Sequence, residues 1–89
     1  MNPRATLCAE YVLGLSQALA NTHHAEDRPL YQTYLADAAV LLALLVREDR
    51  SPDIRVRVGL HERLRSQTFP SGSEQVVAAE AWQRFVRAV

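Results

Sequence analysis

The sequence predicts an all-α protein, a compact bundle of about four helices with the second helix at its centre, in a single domain over residues 1–89. Three observations carry that expectation. Prolines follow capping residues or short polar stretches where helices would begin, and apolar residues recur at helical spacing. The one segment that alternates like a strand has no second alternating segment to pair with.

Asn2 and Pro3 open the first element, because an asparagine oxygen can accept from the free amides of a first turn and proline's fixed φ suits the first helical position. At 100° per residue Leu7, Cys8, Tyr11, Val12, Leu15, Ala18 and Leu19 share one arc, with Glu10 and Gln17 opposite. This helix is expected from Pro3 to about Ala20, stopping at Asn21, a residue that tolerates the left-handed conformation. Thr22 to Arg28 is a short polar connection, and Pro29 starts the second helix. There Leu30, Tyr31, Tyr34, Leu35, Ala38, Leu41, Leu42, Leu45 and Val46 occupy one broad arc free of polar residues. Val40 and Leu44 stand on its other side, beside Thr33 and Asp37. A helix apolar nearly all round is either central or shared with a partner.

Ser51, Pro52 and Asp53 form another start signal, a cap followed by proline and a carboxylate near the positive end of the helix dipole. Behind it Ile54, Val56, Val58 and Leu60 alternate with Arg55, Arg57 and Gly59, so the alternative to a helix is a short strand at 54–60 paired across a dimer. The helix is preferred, since a lone strand leaves its amides unpaired. Pro70 and Gly72 mark a loop over 68–73. Ser71 with Glu74 reads as a capping box, with Ser73 the rival cap. The last helix carries Ala78, Ala79, Trp82, Phe85, Val86 and Val89 on one arc, with Glu80 and Arg84 paired at i, i+4 outside.

Composition narrows the chemistry. All ten basic residues are arginines, balanced by ten acids to a net charge of zero, which removes lysine Schiff bases and P-loop phosphate binding. A single cysteine, Cys8, excludes an internal disulfide framework and fits a reducing compartment, so a cytoplasmic protein is expected. Cys8 falls inside the apolar arc of its helix, where a thiol packs as a small hydrophobe. The longest uncharged apolar run, Ala38 to Val46, is nine residues, so no membrane span is expected, and Glu10 interrupts any secretory signal.

His23 and His24, with Glu26 and Asp27 behind them, are the one cluster of metal-capable side chains. Adjacent histidines diverge on any regular backbone, so neither a metal nor another cofactor is expected. No nucleophile elbow, glycine-rich phosphate loop or zinc-protease motif occurs. Tyr11, Tyr31 and Tyr34 are read as core residues whose hydroxyls reach the rim. His61 beside Glu62 is read as a packed or half-exposed pair. The stretch Asp37–Arg47 with the arginine-rich segment behind it is loosely similar to the first helix of the small all-helical chorismate mutases. The characteristic lysine of that family has no counterpart here, and no family is assigned.

Two surfaces remain as candidates. Leu13, Asp37, Val40 and Leu44 are the partner-binding candidates, because a four-helix monomer struggles to bury the three apolar ones. Arg55, Arg57, Arg63 and Arg65, against Glu62 alone, give residues 55–65 a net +3 and are the candidates for nucleic-acid or anion binding. The leading expectation is a non-enzymatic protein that binds another protein in a regulatory, inhibitory or immunity role, with a homodimer as one form. The alternatives are a nucleic-acid-binding regulator using the arginines and a small enzyme whose site forms between subunits from Arg57, His61 and Glu62.

Overall fold

Asn2 caps the first helix as its residue type dictates. Its side chain accepts a hydrogen bond from the Ala5 N–H at 2.8 Å, Pro3 follows, and α1 runs Pro3–Asn21. The structure, a computed structural model, describes residues 2–47, 54–70 and 75–89. The start signal at Ser51, Pro52 and Asp53 and the capping signals at Ser71, Ser73 and Glu74 lie outside the described residues. Three more helices follow: α2 (Arg28–Arg47), α3 (Ile54–Arg65) and α4 (Val76–Ala88), with no strand among the described residues. The Cα radius of gyration is 12.8 Å, close to the ~12 Å expected of a globule of this length.

The segment 54–60 is helical, so the strand alternative is set aside: a helix closes its own amide hydrogen bonds, whereas a strand here would need a mate that no other segment supplies. The end of α1 also differs from expectation. Asn21 remains helical, and the chain leaves through Thr22 in extended conformation, φ −67° and ψ 134°, whose N–H still reaches the Ala18 carbonyl at 2.9 Å. A 3-10 turn at Ala25–Asp27 then feeds directly into α2.

Antiparallel contacts set the topology. Asn2 Nδ2 donates to the Leu45 carbonyl, the Cys8 thiol to that of Ala38, and Arg28 to that of Leu19, so α2 runs back along α1. On the other flank Gly14 meets Ala78 and Glu10 lies 3.9 Å from Arg84, which makes α4 antiparallel to α1 as well. Arg84 thus points at a neighbouring helix, a contact the expected Glu80 pairing did not include. A β-carbon built on Gly14 would sit 3.0 Å from the Ala78 Cα, so only glycine permits this approach of backbones. Asp37 pairs with Arg63, and Tyr34 with Thr68, which lays α3 antiparallel on α2.

The centre is shared. α1 packs on both α2 and α4 and buries Ala5, Cys8, Tyr11, Gly14, Leu15 and Ala18, whereas α2 packs on α1 and α3 and buries only Tyr31, Ala38 and Leu41. α1 thus shares with α2 the central place expected of the second helix. The reason is steric: small residues on α1 let two helices come close, while the wide arc of α2 has covering for only part of its width. Within the core, Phe69 of the α3–α4 connection inserts between Tyr34, Trp82 and Tyr11, with ring centroids 5.7, 5.6 and 6.3 Å away. Trp82 Nε1 donates to the Leu64 carbonyl at 2.7 Å, joining α4 to α3.

Counting unbroken apolar residues proves too strict a test of membrane character. By length and composition the helical segment Ala25–Arg47 is long and apolar enough to cross a membrane, although here it packs against α1 and α3.

Candidate functional site

The outer side of α2 is where local sequence and packing disagree. Ala36, Ala39, Val40, Ala43 and Val46 are all exposed, with Val40 at 47% and Val46 at 52% of full accessibility. At 100° per residue they fall within an arc of about 120° and extend about 15 Å along the axis. No polar side chain interrupts them. Gln32 and Thr33 bound the strip at one end and Arg47 at the other.

The seam between α2 and α3 edges this strip. Arg63 donates from Nε to Asp37 Oδ2 and from a terminal nitrogen to Oδ1, both at 3.1 Å, a bidentate fork–carboxylate pair. Asp37 is 18% exposed and Arg63 61%, so the carboxylate is the more sequestered partner. The Tyr34 hydroxyl donates to the Thr68 carbonyl at 2.9 Å and accepts from the Thr68 N–H at 3.0 Å, closing one end of the seam. Leu44 lies two turns from Asp37 along one face of α2, and Val56 two turns from Arg63 along one face of α3. Val56 is half-exposed, and Gly59 between them leaves open space, since an added β-carbon would meet nothing within 4 Å.

The candidates read from the sequence accordingly separate. Val40 lies on the outer strip. Leu44 is half-buried against the core and turns into a cavity with Leu41, Leu45 and His61. Leu13 is 59% exposed on the outer side of α1, where its helical neighbours are Ala9, Glu10, Ser16 and Gln17, so it does not extend an apolar surface. Asp37 and Arg63, assigned by sequence to two different surfaces, bind each other. Arg55 and Arg65 are exposed on α3, and the Arg57 side chain lies outside what the structure describes.

Cys8 and Tyr11 are fully buried. Burial pushes the Cys8 thiol up to about 12, which keeps it protonated and unreactive. The Tyr11 phenol is also raised, chiefly by burial and further by the nearby Tyr34, Cys8 and Asp37, and it donates to Gln67 Oε1. Tyr31, on the face of α2 turned to the core, is buried too, so of the three tyrosines Tyr34 alone brings its hydroxyl to the rim. His24 lies 3.6 Å from Glu26 on the exposed connection, and no group of three metal-capable side chains occurs among the described residues.

No family model matches the chain, and no curated protein or solved structure is significantly similar to it.

Proposed function

We propose that the protein acts by binding another protein, helix on helix, through the outer strip of α2, in a regulatory or adaptor role, with a second copy of the chain as the first partner to test. The observation that supports this reading is the strip from Ala36 to Val46, which presents only alanine and valine to solvent over about three turns. Small residues let a second helix approach closely, as Gly14 and Ala78 do inside the molecule. An ordinary interface removes about 800 Å² per partner, roughly a seventh of the 5598 Å² surface of this chain. The strip is too narrow for that alone, so the contact must extend over the seam to Val56 on α3.

The arginine-rich reading receives less support, because Arg63 is already engaged by Asp37. Replacing Val40 and Ala43 by aspartate tests the protein-binding reading. Both are exposed, so the variant stays folded, with an unfolding midpoint lowered only by the poorer helix propensity of aspartate and its repulsion from Asp37. Light scattering is expected to give a mass above 10.0 kDa for the natural chain and 10.0 kDa for the variant. Assembly that persists in the variant overturns the assignment of this face, and a natural chain that stays monomeric at high concentration removes the second copy as partner.

A further inference from the structure

At one end of the bundle the first turn of α1, the last half of α2, the middle of α3 and the residue after α4 converge on a cavity of about 70 Å³. Its wall is Leu41, Leu44, Leu45 and Val89, and its two nitrogen-bearing side chains are Arg4 and His61. Arg4 and Leu45 also line a wider groove of about 460 Å³ outside the same corner, together with Asn2, Pro3 and Ala88. Arg4 therefore lines both the small cavity and the wider groove outside it.

Size and chemistry select the ligand. An apolar cavity of ~150 Å³ stays dry and admits benzene, so one about half that size suits a branched alkyl group of about three or four carbons. Leu41, Leu44, Leu45 and Val89 offer contact to hydrocarbon, while Arg4 and His61 supply the polar part of the lining. The guanidinium of Arg4, a residue that lines both cavity and groove, is permanently charged, offers five donors in a planar fork and accepts nothing. Its complement is a carboxylate, which takes two parallel hydrogen bonds from the fork; an ammonium group would be repelled, and a hydroxyl would engage the fork at one point only.

We infer that this corner binds a short branched-chain carboxylate, with the alkyl end in the cavity between Leu41, Leu44, Leu45 and Val89 and the carboxylate on Arg4. His61 forms part of the cavity wall beside Leu41 and Leu44. The site is separate from the outer strip of α2, and it stands whether or not that strip binds a partner.

The test is a titration of the isotopically labelled full chain with 3-methylbutanoate, followed by NMR, alongside 3-methylbutan-1-ol and acetate. Saturable shifts at Leu41, Leu44, Leu45, His61 and Val89 are expected, with a dissociation constant of about a millimolar, as befits seven non-hydrogen atoms. The alcohol should bind about tenfold more weakly for want of the charge-assisted pair, and acetate should not saturate. Arg4→Gln, at an exposed position, is expected to weaken the acid about tenfold and leave the alcohol unchanged. Leu44→Phe fills the cavity and should abolish binding of both while thermal unfolding remains cooperative. The Val40→Asp, Ala43→Asp variant should bind like the natural chain, which keeps this result distinct from the association test. Equal affinity for acid and alcohol, an unchanged affinity in Arg4→Gln, shifts centred elsewhere, or no saturation up to about 50 mM would each overturn the inference.

Discussion

Two glycines in this chain receive the same substitution with opposite expected results. Gly14→Ala and Gly59→Ala each add one methyl to a helix interior and each gain about 1 kcal/mol of helix propensity, so that gain cancels when the two are compared. The surroundings then decide. At Gly59 the new β-carbon meets nothing within 4 Å, and stabilisation of about 0.5–1 kcal/mol is expected. At Gly14 it lies 3.0 Å from the Ala78 Cα, 3.4 Å from its nitrogen and 3.5 Å from the Val77 oxygen, all backbone atoms that no rotamer change can move. Ordinary carbon contacts lie near 3.5–4.0 Å, so α1 and α4 must part by about half an ångström, an overpacking cost of ~1–3 kcal/mol. The net for Gly14→Ala is a loss of about 1 kcal/mol. For a domain of this length each kcal/mol moves the midpoint by ~4–8 °C, so thermal unfolding followed by circular dichroism at the helix band should separate the variants by roughly 10 °C. Midpoints raised equally in both would refute the close α1–α4 crossing.

Two further outcomes are expected. The Asp37–Arg63 pair should be asymmetric: Arg63→Gln strands a carboxylate only 18% exposed, whereas Asp37→Asn leaves a guanidinium 61% exposed that water can solvate. The arginine variant is therefore the less stable in urea unfolding, and the double-mutant cycle should give a coupling of about 1 kcal/mol; equal losses without coupling would count against the bidentate geometry. Stability should also decline in alkali. The unfolded Cys8 thiol ionises near 9.0 while the folded one holds its proton to about 12, so between those values the unfolded chain binds fewer protons. Unfolding free energy then falls by up to about 1.4 kcal/mol per pH unit, with Tyr11 adding in the same direction at higher pH. Urea midpoints at about pH 8 and about pH 10.5 check this, and Cys8→Ala should flatten the difference.

Much of the helical architecture was legible because it depends on information within one helix. Asn2 and Pro3 determine a start whatever the rest of the chain does, and the arc from Leu7 to Leu19 identifies the buried side of α1 without knowledge of its neighbours. Gly14 shows where that information ends. Hydropathy ranks it as unremarkable, yet its lack of a side chain sets the distance between two helices. Phe69 is similar, since its place beside Pro70 in the connection after α3 hides that it sits among three aromatic rings; a large aromatic beside a proline was the available signal.

The surfaces were harder to read because angular position around one axis cannot say what the next helix covers. Leu44 and Val40 occupy neighbouring positions on α2, but α3 comes to rest on the side of Leu44 and leaves Val40 in water. What fixes that placement is the Asp37–Arg63 contact, spanning 26 residues, with the Tyr34–Thr68 clasp spanning 34. Each partner looks like an ordinary surface charge or tyrosine within its own helix, and only their register makes one side of α2 a lined cavity and the other an open strip. Rotating α3 by a single residue, about 100°, would carry Arg63 away from Asp37 and expose Leu44. The ion pair therefore matters more for which apolar residues are left to bind something than for the energy it contributes.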